Sequence, residues 1–270
     1  MHGRLRSSAV SAYVAVARQT FRRQSTYRAA TAAGVFTNTI FGIVLAEVVV
    51  AAFRGRDLIN GITAGEAVTM TFFAQGMLMV TRTFGWHEVT DRVRTGQIAS
   101  DLQRPLDVGW YWAAVFLGAG LFSAVTRGIP PFLVGGLLYH LTTPSTVGGW
   151  AGSIVVMVGA AAVASRWWFL VSLPAFWLHG DTRGVVQLAS AVQNVASGSL
   201  LPLQFFPDGL AAVFRHSPFA AMTQLPAEVF LGRQSVWAVA AVQLAWFAVL
   251  HGLGTLVWRA CARKLVIDGG

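Results

Sequence analysis

The chain has 270 residues, of which 55% are hydrophobic and 11% are charged, and it contains 28 glycines and 10 tryptophans. This apolar and small-residue content exceeds that of an average soluble domain and indicates a protein that crosses a membrane several times. The net charge of +9 does not indicate a nucleic-acid partner, because the basic residues form short clusters between apolar runs, as they do at the cytoplasmic ends of membrane spans.

The N-terminal residues 1–29 are predicted to form a cytoplasmic amphipathic helix. The residues of its apolar stripe recur at helical spacing, and they are Val10, Val14, Ala17 and Phe21. Arginines lie on the opposite side, which suits a helix that lies in the membrane surface against anionic headgroups. A solvated helix packed on protein fits the same pattern, so both interpretations stay open.

Six apolar runs are long enough to cross a bilayer, which takes about 20 residues. They lie near residues 31–53, 65–86, 115–141, 150–178, 185–206 and 236–258. Arginines precede the first run and follow the last, and such residues favour the cytoplasmic side. We therefore expect an all-α membrane protein with six transmembrane helices within residues 30–258, and with both termini, including the tail 259–270, in the cytoplasm.

Three charged residues fall within the apolar runs, and they are Glu47, Arg127 and Arg166. Such charge is costly in a bilayer unless it meets water or a partner. Measured from the outer ends of the spans, Glu47 lies about 9 Å deep and the arginines lie about 20 Å deep or more, so we expect no simple ion pair. The three residues are either structural or line a polar substrate pathway.

The chain between the fifth and sixth runs is apolar but is interrupted by prolines. They are Pro202, Pro207, Pro218 and Pro226. Because proline ends or kinks a helix, we expect short helices here, in an outer re-entrant segment over residues 206–234 whose prolines shape an outer gate. Irregular backbone within a membrane must be buried in protein or face water, which favours a transport pathway. An interfacial cap on the bundle is the alternative.

The loop at residues 87–107 contains the largest concentration of charge and is expected to be cytoplasmic. Ile98 and Leu102 are four residues apart, so they would form one apolar patch on a helix, with charged residues around it. Pro105 would end that helix before the next span.

Catalytic motifs are absent from the sequence. The only lysine, Lys264, is not part of a phosphate-binding loop, which needs Gly-Lys followed by Ser or Thr. The six histidines are scattered, and the single cysteine, Cys261, has no partner for an intrachain disulfide. We therefore expect a chain that is not an enzyme by itself and binds no metal and no cofactor.

Five motifs, in order along nearly the whole chain, resemble the permease subunits of ABC type-2 exporters. They are GQIASDLQRPLDVGWYW, RGIPPFLVGGLL, RWWFLVSLPAFWLHGDTRGVVQL, SGSLLPLQFFPDGL with SPFAAMTQLPAEVFLG, and WRACARKLVIDGG. More narrowly, the chain resembles a bacterial six-span group in which two permeases are encoded beside one ATPase. The resemblance implies a plasma-membrane exporter of two permeases, this chain with a second copy or a related one, and two ABC ATPase subunits that bind ATP and Mg. It also suggests small amphipathic substrates such as drug-like, antibiotic or cationic compounds.

In that class of exporter the loop after the second span forms a coupling helix that docks on the ATPase. The resemblance therefore assigns ATPase coupling to Glu88, Asp91, Arg92, Arg94, Gly96, Ile98, Asp101, Leu102, Arg104 and Pro105. A solvated connector is the alternative for this loop. For the whole chain, the alternatives are a self-sufficient secondary transporter or channel that uses the three intramembrane charges, and a membrane scaffold without transport.

Overall fold

A computed structural model of the chain describes residues 2–26, 28–82, 86–178 and 182–268. Across these ranges the chain is helical and has no β-strand. The α-helices in the described ranges are α1 His2–Gln24, α2 Arg28–Ala52, α3 Ala64–Val80, α4 Glu88–Arg94, α5 Ile98–Leu102, α6 Val108–Ser123, α7 Ile129–Leu138, α8 Val147–Ser172, α9 Arg183–Ala196, α10 Asp208–Arg215, α11 Gln224–Phe230 and α12 Val236–Asp268. A π-helical turn, Ala124–Gly128, joins α6 to α7, and short 3-10 turns occupy Leu173–Phe176, Leu203–Phe205 and Ala220–Met222.

Within the described part of the chain, four helical stretches are long and apolar enough to cross a membrane. They are Thr31–Ala52, Val108–Leu138, Val147–Phe176 and Val236–Arg263. The second of these begins well before the predicted start at residue 115, because α6 continues through the π-helical turn into α7. The fold is thus an all-helical membrane bundle.

The other two predicted spans are shorter helices. α3 has 17 residues, and α9 has 14. At 1.5 Å per residue α9 is about 21 Å long, which is less than the thickness of about 30 Å of the hydrocarbon core. A single helix over 185–206 is therefore wrong. The chain leaves the helix at Gly198, whose φ of +76° lies in the left-handed region that favours glycine, and Pro202 follows.

The bundle has two ends. At the end that we call the α11 end, the first residues of α3, α8 and α12 lie close to α11. The rings of Trp150 and Phe230 are 5.4 Å apart there, and Arg233 donates to Glu66 at 2.7 Å. The opposite end, the α4 end, contains α4, α5, the start of α6 and the final turn after α8.

The middle of the bundle is formed by α3, α6 and α8, while α2 and α12 lie at its periphery. In an apolar stretch of 18 residues from each span, 61% of the residues are buried for 108–138 and 56% for 147–176, compared with 22% for α2 and 17% for α12. The outward faces of α2 and α12 therefore suit contact with lipid or with another subunit.

The N-terminal helix α1 packs along α6. The ring of Phe21 meets that of Phe122 edge to face at 5.5 Å, and a Cβ added at Gly118 would clash with the backbone carbonyl of Ala17. Val10 and Val14, in contrast, are exposed. The predicted apolar stripe is therefore divided, since its second half contacts protein and its first half faces outward.

Candidate functional site

The charged loop folds into two short helices, α4 and α5, where the sequence predicted one coupling helix. Gly96 separates them with a φ of +72°. This left-handed conformation is strained for a residue with a Cβ, which explains a glycine at an exposed position.

Asp101 is the centre of the loop, since its side chain is only 1% exposed. It accepts hydrogen bonds from Nε of Arg92 at 2.6 Å and from Nη2 of Arg92 at 2.8 Å. Nε of Arg104 lies 3.3 Å from the same carboxylate, and the guanidinium of Arg104 lies over the ring of Tyr111 at 4.7 Å. These contacts join α4, α5 and the start of α6. Asp101 is therefore an internal brace, and its predicted place on a docking rim is wrong.

The predicted apolar patch of Ile98 and Leu102 is separated by the fold. Ile98 is 2% exposed and belongs to the core cluster that includes Trp86, Val89 and Trp112, whereas Leu102 is 41% exposed. Ile98 cannot serve as a docking anchor in this conformation, because its side chain already fills the interior of the chain.

The remaining predicted coupling residues lie on or near the surface. Arg94 and Asp91 form an exposed pair at 3.5 Å, and Glu88 pairs with Arg23 of α1 at 3.1 Å. We name the outward surface of the loop the loop face, and it consists of Asp91, Arg94, Gly96, Leu102 and Pro105. It combines one exposed leucine with both signs of charge.

Glu47 and Arg127 contact different neighbours. Glu47 accepts a hydrogen bond from the hydroxyl of Tyr139 at 2.6 Å. Arg127 lies over Gly34, where an added Cβ would be 3.0 Å from its Nε. Because Gly34 and Glu47 are about 20 Å apart along α2, the absence of a simple pair agrees with the prediction.

Arg166 is 2% exposed and lies near the start of α6. Its Nη1 donates to the carbonyl of Gly109 at 3.1 Å, and its guanidinium lies 4.5 Å from the ring of Trp110 and 5.1 Å from that of Phe247. Arg166 is therefore enclosed by aromatic rings, in a third place away from both Glu47 and Arg127.

The four prolines of the predicted outer gate have two different roles. Pro202 and Pro207 precede the 3-10 turn and α10, and Pro218 follows α10, so these three separate the short helices as expected. Pro226 lies inside α11, as its third residue. The first turn of a helix leaves its N–H groups unpaired, so proline is tolerated there. The prediction that Pro226 breaks the segment is therefore wrong.

A buried polar cluster holds α10 against α11. Glu228 accepts hydrogen bonds from Nη1 and Nη2 of Arg215 at 2.7 and 2.5 Å, from Gln204 at 3.2 Å and from Gln224 at 2.9 Å. Sequence reasoning missed this cluster, although Glu228 is the only carboxylate in the apolar stretch SPFAAMTQLPAEVFLG.

Residues 37–269 match the model of the family described as ABC-2 family transporter protein. The chain belongs to this family. No curated protein and no solved structure matches the chain. The match covers nearly the whole bundle from α2 to α12, so the permease resemblance carried by the five motifs is confirmed, and the chain is a membrane component of a transporter.

In this ABC-2 permease a turn between α10 and α11 lies inside the bundle. Gln243 is buried and donates to the carbonyls of Val156 at 2.8 Å and Ala221 at 2.9 Å. Gln243 lies about 10 Å along α12 from its first residue, so the turn around Ala221 is about as deep from the α11 end. The irregular backbone there is enclosed by α8 and α12.

A groove of about 550 Å³ runs along α9 of the permease. The residues that line it are His87, Arg183, Val186, Gln187, Ser190, Ala191 and Asn194. Its polar members on α9 are three or four residues apart, so they share one face of the helix. Sequence reasoning treated this stretch as an apolar span and missed the polar stripe, although its spacing was visible in RGVVQLASAVQN.

Metal binding finds no support in the described residues, since no group of three or more His, Cys, Asp or Glu side chains there is placed to hold an ion.

Proposed function

We propose that the chain is the membrane subunit of an ATP-driven exporter and couples to separate ABC ATPase subunits, which bind ATP and Mg. Membership of the ABC-2 family supports transport. The observation that supports ATPase coupling is the loop face, which is a small charged surface with one exposed leucine. The buried carboxylate of Asp101 holds the loop in this conformation. Small interfaces of this kind commonly obtain much of their energy from one apolar contact.

The contacts of Asp101 would transmit a displacement of the loop to α6. Arg92 belongs to α4, while Arg104 lies between α5 and α6, and both bind the same buried carboxylate. A displacement of the loop face by an ATPase would therefore pull on the start of α6. Breaking such a buried pair leaves an uncompensated charge, so the joint resists bending.

The proposed arrangement has six transmembrane segments within residues 30–258, with α3 and the chain over 183–206 as the two shorter ones. The loop 87–107, the N-terminal region 1–29 and the tail 259–270 lie in the cytoplasm of a bacterial cell, and the chain is embedded in its plasma membrane. The α11 end then faces outward, and residues 206–234 form a re-entrant gate. The depth of the turn at Ala221 supports this gate, because irregular backbone within a membrane must be enclosed by protein or face water.

The substrate pathway in this proposal follows the groove on α9, between this permease and a second one of the same or a related sequence. A polar helix face at membrane depth needs water or a partner. Beside the polar stripe, Leu188 and Val192 are exposed, so the surface offers both hydrogen bonds and apolar contact. That combination suits a small amphipathic substrate. A self-sufficient secondary transporter has less support, because Glu47, Arg127 and Arg166 occupy separate places and form no relay.

The test of coupling is Leu102→Asp, with Leu58→Asp as the matched control. Leu58 lies between α2 and α3, away from the loop, and is 58% exposed against 41% for Leu102. We expect Leu102→Asp to reduce co-purification of the ATPase and substrate-stimulated ATP hydrolysis by about tenfold, as loss of an interface hot spot does. The control should keep both. Ile98→Asp is unsuitable, since a charge in the core destabilises the loop itself. Undiminished binding and stimulation with Leu102→Asp would identify the loop as a solvated connector.

A further inference from the structure

A second pocket lies at the α4 end, between α1, α4 and the first turns of α6, and has a volume of about 490 Å³. Its lining comprises Val16, Gln19, Thr20, Arg23, Glu88, Asp91, Arg92, Arg104, Tyr111, Trp112 and Val115. It borders the loop face at Asp91 and shares no residue with the groove along α9.

The charges around this pocket leave one positive charge in excess. The exposed pair of Arg23 with Glu88 is neutral. Arg92 and Arg104 share the single carboxylate of Asp101, so one guanidinium charge is not offset. Asp91, which also lines the pocket, is paired with Arg94 at 3.5 Å. A ligand with one negative charge would complete this arrangement.

Arg104 also offers hydrogen-bond donors to the pocket. Arg104 approaches Asp101 through Nε and lies over Tyr111 with the face of its guanidinium. Its terminal nitrogens therefore remain available to a ligand that accepts hydrogen bonds.

We propose that this pocket binds the phosphodiester of an anionic phospholipid. A phosphodiester carries one negative charge and accepts several hydrogen bonds, and basic pockets between helices at a membrane surface are suited to such headgroups. A lipid source is favoured over free phosphate because Val10 and Val14, on the same helix as the lining residues Val16 and Gln19, are exposed and can contact acyl chains. The choice of the cytoplasmic leaflet rests on the proposed orientation.

The bound lipid would connect α1 to the loop. Its phosphate would contact Arg92 and Arg104, the two arginines that brace Asp101, from the side opposite the carboxylate. The conformation of the loop face would then depend on the headgroups of the surrounding membrane.

The experiment uses the full-length chain, purified and delipidated in a neutral detergent, with bound lipid counted by native mass spectrometry. The probes are phosphatidylglycerol, diacylglycerol with the same acyl chains, and inorganic phosphate as a competitor. We expect phosphatidylglycerol to bind about tenfold more tightly than diacylglycerol, and Arg104→Gln to remove most of that difference, because charge-assisted hydrogen bonds are lost. Arg56→Gln, at an exposed position between α2 and α3 and away from the pocket, is the matched control and should change the affinity by less than about twofold.

Gln19→Ala is the second variant, because Gln19 lines the pocket and is exposed, so that its loss leaves the core intact. It should weaken phosphatidylglycerol binding at an unchanged unfolding temperature, so the proposal stays testable if Arg104→Gln folds poorly. Equal binding of phosphatidylglycerol and diacylglycerol, or unchanged binding by both variants, would overturn a phosphate site. Displacement of the lipid by equimolar inorganic phosphate would show a site for soluble anions instead. None of these readouts requires an ATPase or transport, so failure here is distinguishable from failure of the proposed export function.

Discussion

The buried pair of Arg215 and Glu228 predicts two unequal losses of stability. The side chain of Glu228 is 4% exposed, whereas that of Arg215 is 36% exposed. Arg215→Ala leaves a carboxylate buried with only two amide donors, from Gln204 and Gln224. Glu228→Gln leaves a guanidinium that can turn toward solvent. Arg215→Ala should therefore be the more damaging of the two substitutions.

The magnitude follows from burial and from the number of bonds. Removing one partner of a buried ion pair costs about 3–5 kcal/mol, and we expect Arg215→Ala to fall in that range. Glu228→Gln loses two charge-assisted hydrogen bonds, but partial exposure of Arg215 reduces the penalty to about 2 kcal/mol. At about 2–4 °C per kcal/mol for a chain of this size, the unfolding temperature should fall by about 10 °C or more for Arg215→Ala and by about half as much for Glu228→Gln.

The assay is thermal unfolding of the full-length permease in detergent, followed by the loss of monodisperse protein on size exclusion. The double variant Arg215→Ala/Glu228→Gln completes a cycle and should be less unstable than the sum of the single changes, because neither partner is left charged. Equal effects of Arg215→Ala and Glu228→Gln, or shifts below about 2 °C, would show that the cluster does not hold α10 to α11.

Two further predictions concern orientation and the substrate pathway. With Cys261 replaced, Thr143→Cys should react with an impermeant thiol reagent on intact cells and Thr95→Cys should not, because arginines resist translocation; labelling of Thr95→Cys from outside would reverse the orientation. Gln187→Leu and Asn194→Leu should reduce export severalfold while leaving protein abundance unchanged, since they remove hydrogen bonds from the groove without filling the core; full export by the double variant would exclude α9 from the pathway.

The helical class and the positions of the four long spans could be predicted from the sequence, because long apolar runs have few alternatives in a membrane, although the start of one span at Val108 was missed. The end of α9 could not be predicted from hydropathy. The run over 185–206 stays apolar beyond Ala196, yet the helix stops where Gly198 takes a positive φ and Ser197 and Ser199 bond to each other at 2.7 Å. Local turn geometry, rather than a change in polarity, ends this helix.

In the loop at residues 87–107, sequence spacing predicted the wrong side chains to be exposed. Ile98 and Leu102 share a helical face in sequence, but α5 has only five residues and is pressed against α4 and α6 on one side. Ile98 lies on the side of α5 that contacts these helices, whereas Leu102 is the last residue of α5 and is exposed. Asp101 was expected at the surface because of its charge, and it is buried because two arginines from outside α5 reach it. The pair with Arg92, nine residues away, joins α4 to α5, so it is not visible from the periodicity of a single helix.

A continuous path through one helical stretch connects the brace to the opposite half of the bundle. Residues Val108–Leu138 begin beside the loop and end next to Tyr139, whose hydroxyl bonds to Glu47 of α2. The path bends at the π-helical turn, where Gly128 lies against the backbone of Gly76 in α3, so close that an added Cβ would be 3.2 Å from its carbonyl oxygen. Extra turns of this type often mark functional sites in helices, and backbone contact between glycines allows one helix to pivot on another. If an ATPase moves the loop, as proposed above, the movement would reach α2 through α6 and α7, and α7 would turn about its contact with α3 at Gly76. In this proposal Glu47 does not need to touch substrate, because its role is to hold the end of α7 to α2 through Tyr139.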